Sequence, residues 1–327
     1  PWPEIIRISV DKYVACSGTK LDIRVGGPGG GDEEIMRAVE RASCPDSRAG
    51  RQAFRISEWK ESLDDEHYAG MVRRAREFIA AGDIYQVNLA RWFEADFEGD
   101  AWGLFAELSR RNPSPYSAYI ELPGVDGFAP AAIVSASPEL LFRIEGFRIV
   151  TRPIAGTYPR EEAPENLPRD PKERAEHIML IDLERNDLGR IGVPGSVKVE
   201  ELLTVETYSH LHHIVSQVAA ELRPGTKLSQ VMRAVFPGGT ITGCPKVRAM
   251  EIIDELETFR RGLYTGSIGM LGSEGDAVFN IAIRTAIVRD GKIRLAAGAG
   301  IVADSDPMRE AHETRVKAGA FLDARSR

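Results

Sequence analysis

The sequence predicts an α+β fold built on largely antiparallel sheets. Strand-like runs come in consecutive groups, and helical runs fall between the groups. Turn signals separate neighbouring strands closely enough for hairpins, and Asp290-Gly291 between two β-rich runs is a type I′ signal. A doubly wound parallel sheet would alternate strand and helix instead.

The elements follow in order. Residues 1–60 read as an irregular lead-in, with Gly26 to Gly31 as a flexible loop. That run lacks the Lys-Ser/Thr of a phosphate-cradling loop and the strand–turn–helix setting of a dinucleotide fingerprint. Asp64 to Ala81 reads as a helix closed by Gly82. Ile84 to Phe97 is strand-like, and Ala101 to Arg111 is a helix stopped by Asn112-Pro113. Strands are expected near Tyr116–Leu122, Ala132–Ser137, Leu140–Ile144 and Phe147–Arg152. Helices are expected over Pro171–Asp187, Lys227–Phe236 and Pro245–Leu256, with two strands between Val197 and Leu222. Ala277 to Val302 reads as a hairpin, and a last helix starts at Pro307.

With 327 residues, 43% of them hydrophobic, the chain can bury a large core. Its net charge of −7 is made of interspersed signs, which argues against a nucleic-acid-binding face. The three cysteines, Cys16, Cys44 and Cys244, have no metal-ligand or CxxC spacing, which suits a reducing cytoplasm. No apolar run reaches membrane-spanning length and no signal-peptide pattern opens the sequence.

Two helices carry paired carboxylates. Glu173 and Glu176 share a helix face, as do Glu310 and Glu313, because residues three apart are neighbours on a helix. Asp306 as N-cap and Pro307 as first helical residue set the register of the second pair, and Lys317 falls on the same face as Glu313. Two such faces could meet around a hard cation. An all-oxygen set suits Mg²⁺ rather than Zn²⁺ or a di-iron centre. Helical Glu-x-x-Glu is common on solvated faces, and the pattern alone favours that reading.

In Phe279 to Ile287, strand alternation puts Ile281, Ile283 and Ile287 on one face and Arg284 on the other, between Ala282 and Ala286. Small neighbours leave room for a planar anion that Arg could bind with two hydrogen bonds; a solvent-facing Arg is the plainer alternative. Glu139 follows Ser137-Pro138 and precedes Leu140-Leu141-Phe142, where apolar neighbours would raise its pKa toward that of a general acid. A solvated edge-strand glutamate is the alternative. Three small-residue segments could approach a ligand closely or simply turn: 153–157, 237–243 and 298–300.

From about Asp64 to Ala320 the chain resembles the chorismate-utilising enzymes, a family that includes anthranilate, aminodeoxychorismate, isochorismate and salicylate synthases. The resemblance is carried by Gly82-Asp83-Ile84-Tyr85-Gln86-Val87-Asn88-Leu89, Ser137-Pro138-Glu139, Pro153-Ile154-Ala155-Gly156-Thr157, Glu176-His177 through Arg185-Asn186-Asp187, Gly239-Thr240 through Glu251, Tyr264-Thr265-Gly266, and Gly298-Ala299-Gly300-Ile301 through Glu313-Thr314. It implies a two-sheet β-sandwich core of mixed sheets with helices outside, occupying residues 61–327 after a short N-terminal segment. It also implies roles. Glu176 and Glu313 match direct Mg²⁺ ligands, and Glu173 and Glu310 match carboxylates reaching the metal through water. Glu139 matches the acid that protonates the C4 hydroxyl of chorismate. Tyr264 and Arg284 match residues holding the enolpyruvyl carboxylate. Thr240, Gly298, Gly300, Lys317 and Ala155 match the rest of the pocket, and His213 matches a pocket histidine.

Gln86 bears on the nucleophile. Water-using family members have a lysine base at this position; a neutral amide cannot take a proton from water, whereas ammonia needs no such base. The resemblance therefore points to amination. Gln86 to Leu89, Thr240 to Lys246 and Phe279 to Thr285 are more similar to aminodeoxychorismate synthase component I. Ala155 stands where many such enzymes carry a lysine nucleophile, whereas anthranilate synthases usually have alanine there, as this chain does. The expectation is amination at C4, with anthranilate formation by attack at C2 as the alternative. No Gly-x-Cys-x-Gly glutaminase elbow is present, so the resemblance implies ammonia from a glutamine amidotransferase partner.

Overall fold

The computed structural model describes residues 15–17, 20–22, 53–122, 129–159, 163–207, 211–272 and 274–324. The glycine run at 26–31 lies outside the described residues. In chain order the strands are β1 (Ala15–Ser17), β2 (Lys20–Asp22), β3 (Phe54–Ile56), β4 (Lys60–Glu61), β5 (Gln86–Gly99), β6 (Tyr116–Leu122), β7 (Ala131–Ser137), β8 (Leu140–Glu145), β9 (Arg148–Arg152), β10 (Ile154–Pro159), β11 (Lys198–Thr207), β12 (Leu211–Glu221), β13 (Gly243–Cys244), β14 (Gly269–Leu271), β15 (Ala277–Asn280), β16 (Thr285–Arg289) and β17 (Lys292–Ile301). The helices are α1 (Asp65–Ala80), α2 (Ala101–Arg111), α3 (Pro171–Gly189), α4 (Leu228–Val235), α5 (Lys246–Leu256) and α6 (Pro307–Leu322).

Among the described residues two large sheets hold β3 to β17, and β1 and β2 pair with each other. The eight-stranded sheet runs β13-β5-β17-β16-β7-β6, with β3 and β4 added on β5. The seven-stranded sheet runs β10-β12-β9-β8-β15-β14, with β11 added on β12. Every pairing among the described residues is antiparallel, so the sheets are not mixed as the resemblance implied. The described end of the lead-in forms strands where irregular chain was expected. Phe54–Ile56 and Lys60–Glu61 pair with β5, and Phe54 lies in the core.

Helix ends follow their sequence signals. Asp64 caps α1 by accepting from the His67 amide at 2.9 Å, and Gly82 beyond its end takes φ +83°. Asp306 caps α6 by accepting from the Met308 and Arg309 amides. Such a cap contributes about 1 kcal/mol and fixes where Glu310 and Glu313 fall. Asp290 and Gly291 both have positive φ, as a type I′ hairpin between β16 and β17 requires.

The helices cover the outer faces. Tyr68 and Val72 of α1 and Ile252 of α5 pack on Val87, Leu89, Ala299 and Ile301. Leu104 and Leu108 of α2 and Phe321 of α6 pack on Phe93, Leu295 and Val134. Ile181 and Leu188 of α3 and Val231 of α4 pack on Phe142, Ile149 and Val218. Alternation along β5 therefore turns Gln86, Asn88 and Ala90 to the face away from α1 and α5. Arg91, fully buried, points to the helix side and spends its donors on Thr314 Oγ1, the Ala311 and Leu63 carbonyls, Asp65 and Glu61. It ties α6 to β5, and a buried guanidinium is tolerated only when satisfied this fully. No described helix is long and apolar enough to cross a membrane.

Candidate active site

The floor of the site is the pair β5–β17, in register with Ala90 opposite Gly298 and Asn88 opposite Gly300. A Cβ on Gly300 would stand 2.7 Å from Gln86 Nε2. One on Gly298 would stand 2.6 Å from Asn88 Oδ1 and 2.7 Å from the Tyr264 hydroxyl. At Gly298 the Leu89 carbonyl, 2.4 Å from such a Cβ, leaves no room for a side chain, whereas at Gly300 only the flexible end of Gln86 would have to move. Gln86 is buried, and its Oε1 is shut off from solvent with no hydrogen-bond partner among the described residues.

Glu139 sits in the link between β7 and β8. The backbone there is fixed by Ser137 Oγ donating to the Ile281 carbonyl at 2.6 Å and by the Ile281 amide donating to the Glu139 carbonyl at 3.0 Å. The side chain is 4% exposed. Burial raises its pKa to about 7, against hydrogen bonds from the Thr240 hydroxyl (2.8 Å) and the Ile154 amide and the positive fields of Lys317 and Arg284. Glu139 is thus protonated in half or more of molecules at neutral pH and below.

His213 on β12 donates Nδ1–H to the Gly156 carbonyl at 3.0 Å, which leaves Nε2 unprotonated. Burial, with further lowering from Arg284 and Lys317, holds its pKa near 4, so the ring is neutral. Arg284 and Lys317 act electrostatically on both Glu139 and His213, so both cations lie near both groups. Gly156 lies at a bulge between β10 and β12, with φ +67°, and a Cβ there would meet Glu173 Oε2 at 2.8 Å. Ala155 beside it pairs with Ile214.

The continuous strand expected over Phe279–Ile287 does not form. β15 belongs to the seven-stranded sheet and β16 to the eight-stranded sheet, and the chain crosses between them at 281–284. Arg284 sits on that crossing with φ +48°, a left-handed conformation costly for a residue with a Cβ. Its orientation comes from this kink rather than from alternation. Thr265, next to Tyr264, also has positive φ (+62°), and its amide donates to the Ala282 carbonyl. Tyr264 is buried, which raises its pKa and keeps its hydroxyl protonated; that oxygen lies 3.5 Å from Asn88 Oδ1.

The four helix glutamates lie as two pairs, Glu173 and Glu176 on α3 and Glu310 and Glu313 on α6. Glu310 is buried, one carboxylate oxygen of Glu176 is shut off from solvent, and Glu313 pairs with Lys317 at 2.6 Å. Among the described residues no group of three or more His, Cys, Asp or Glu side chains is gathered to hold a metal ion. Sequence reasoning passed over Asn88, Glu257 and Arg261, which line or brace the floor, and Glu184. Glu184 is buried on α3, where burial and then the charges of Asp187 and Glu139 push its pKa up to about 8. The i,i+4 spacing of Glu257 and Arg261 was the available signal for that pair.

The family model described as chorismate binding enzyme matches residues 31–323. The chain belongs to this family. It is 46% identical over 273 residues to anthranilate synthase component 1 of Aquifex aeolicus, covering 81% of this chain and 54% of the relative. It is 45% identical over 280 residues to aminodeoxychorismate synthase component 1 of Salmonella typhimurium, covering 83% and 60%. Among solved structures, anthranilate synthase component I from Streptococcus pneumoniae superposes with a TM-score of 0.79 at 33% identity, over 93% of this chain and 69% of that one. The menaquinone-specific isochorismate synthase from Escherichia coli shares the fold, with a TM-score of 0.71 at 23% identity over 83% and 63%. The chain spans little more than half the length of the first two relatives.

Proposed function

We propose that this chorismate-binding enzyme aminates chorismate at C4, giving 4-amino-4-deoxychorismate, with ammonia supplied by a glutamine amidotransferase partner. The observation that carries the reading is Gln86 Oε1, a buried acceptor beside Gly300 with no donor among the described residues. An unmet buried carbonyl suits a small N–H donor such as ammonia, and an amide cannot act as the base that water would need. Relatives named for component 1 of two-part synthases support a partner subunit.

In this reading Arg284 and Tyr264 hold the enolpyruvyl carboxylate of chorismate. Protonated Glu139 gives its proton to the C4 hydroxyl, which leaves as water. Nitrogen bonds to C4 and sheds one proton, so one ammonia enters and one water leaves. Neutral His213 offers Nε2 as an acceptor beside the reacting ring. Ala155 supplies no nucleophile, so the nitrogen attacks carbon directly. Glu173, Glu176, Glu310 and Glu313 are the residues that would hold Mg²⁺: their all-oxygen chemistry fits, although the two helix pairs are not gathered into one cluster and would have to draw together around the ion. When bound, it would neutralise the ring carboxylate and ease loss of the hydroxyl.

Ala155 and the anthranilate synthase relatives favour a second reading, amination at C2 with loss of pyruvate. Product analysis separates the two. With chorismate, Mg²⁺ and ammonium, 4-aminobenzoate appearing only after an aminodeoxychorismate lyase is added supports the first; anthranilate fluorescence without lyase supports the second.

A further inference from the structure

Glu257 and Arg261 form a buried ion pair with no part in the steps above. Arg261 Nη2 donates to Glu257 Oε1 at 2.6 Å and Nε donates to Oε2 at 2.9 Å. The remaining bonds land on backbone. Glu257 Oε1 accepts from the Ala90 amide at 2.9 Å. Arg261 Nη2 donates to the Asn88 carbonyl at 2.6 Å, and Nη1 donates to the Ile241 carbonyl at 2.9 Å. The guanidinium also lies over the Tyr264 ring, 5.5 Å from its centroid.

Three segments of the site therefore converge on one pair. β5 carries Gln86 and Asn88. The turn at 239–242 carries Thr240, which bonds Glu139. Tyr264 follows Arg261 by three residues. β5 and the turn also touch where the Asn88 amide donates to the Thr242 carbonyl at 2.8 Å. A buried ion pair is weak support for stability, because apolar residues of similar volume often replace one at no loss. What this pair adds is a fixed distance between two strips of backbone.

We infer that the Glu257–Arg261 pair is a positioning pair for amination, holding the strand that bears Gln86 against the turn whose Thr240 orients the acid Glu139. The inference rests on the proposed reaction, in which nitrogen enters on the Gln86 side while Glu139 protonates the leaving oxygen. Misplacement by about 1 Å between such groups can cost up to about a hundredfold in rate.

The test is the double variant Glu257→Gln/Arg261→Met, which removes both charges so that neither is left buried alone. An amide at 257 can still accept from Ala90. With circular dichroism showing the native fold, kcat should fall about tenfold or more while KM for chorismate stays within about threefold. Thr240's hydrogen bond favours ionised Glu139, so loosening the turn should raise the pKa of Glu139 and move the alkaline limb of the rate profile upward. Thr240→Val should show the same displacement. Lys317, Arg284, the Ile154 amide and Glu184 also act on Glu139 and are unchanged in the variant. A folded double variant with wild-type kcat and an unmoved limb overturns the inference. Should the double variant not fold, Arg261→Lys keeps the charge but not the fork; it should lose kcat in part and shift the limb in part, and wild-type behaviour overturns the inference equally. Direct titration of Glu139 by carbon NMR needs no turnover. A wild-type chain that does not aminate would therefore discredit the reaction, and the titration would still judge the pair.

Discussion

The Thr240 hydroxyl donates a 2.8 Å hydrogen bond to Oε1 of Glu139 across the gap between the 239–242 turn and the β7–β8 link. Burial pushes the acid up and this bond pulls it down, leaving a pKa of about 7. The balance keeps Glu139 able to give a proton at neutral pH without trapping it in the acid form.

Glu139→Gln should abolish turnover and stabilise the fold. The folded pKa of about 7 lies above the model-compound value of 4.5. The native state therefore binds the proton more tightly than the unfolded state, and stability from that proton is full below about 4.5 and lost as pH rises through 7. The variant escapes this loss, so its melting temperature should exceed wild type at pH 8 and approach it at pH 5. Thermal melts at both values check this. A variant less stable than wild type at pH 8 contradicts it.

The rate should carry the same signature. Expressed per unit of free ammonia, kcat/KM should fall as pH rises above about 7, because the proton donor is lost. A profile still rising through pH 8.5 after that correction would show that Glu139 is not the acid.

Gly300 and Gly298 should respond differently to alanine. A methyl on Gly300 meets only the end of the flexible Gln86 side chain, so Gly300→Ala should fold. Its KM for ammonium should rise about fivefold or more as Gln86 is displaced. A methyl on Gly298 would lie 2.4 Å from the Leu89 carbonyl, which cannot yield, so Gly298→Ala should lower the melting temperature. Equal effects of the two on stability would contradict the packing described.

Much of the fold was legible in the sequence. Asp64, Gly82, Asp306-Pro307 and Asp290-Gly291 are local signals, and the helices and hairpin formed where those signals put them. What was not legible depends on long-range pairing. Phe54–Glu61 carries no strong pattern of its own and is strand only because β5 offers an edge. Phe279–Ile287 has strand periodicity throughout, yet breaks at Arg284 because its two halves bond to different sheets. For the site, residue types pointed to Glu139, Arg284 and the glycines, while the resemblance supplied Gln86, His213, Tyr264 and their roles. The bracing by Glu257 and Arg261 escaped notice because its partners are main-chain atoms of Asn88, Ala90 and Ile241, which no side-chain pattern marks.

The metal reading has its own check. Glu313→Gln should abolish turnover at ordinary Mg²⁺ and remove the rise in melting temperature that Mg²⁺ gives the wild type. Its half-exposed pair with Lys317 contributes little to stability, so the ion-free melting temperature should barely move. A Glu313→Gln protein with a wild-type response to Mg²⁺ would exclude this carboxylate as a ligand.

The most direct test of chorismate amination at C4 is the product itself. Chorismate, Mg²⁺ and ammonium are incubated with the protein at alkaline pH and the mixture is resolved by chromatography before and after an aminodeoxychorismate lyase is added. The expected result is a new amine that yields 4-aminobenzoate only with the lyase. Anthranilate formed without lyase, or isochorismate formed steadily without any amine, would contradict the account.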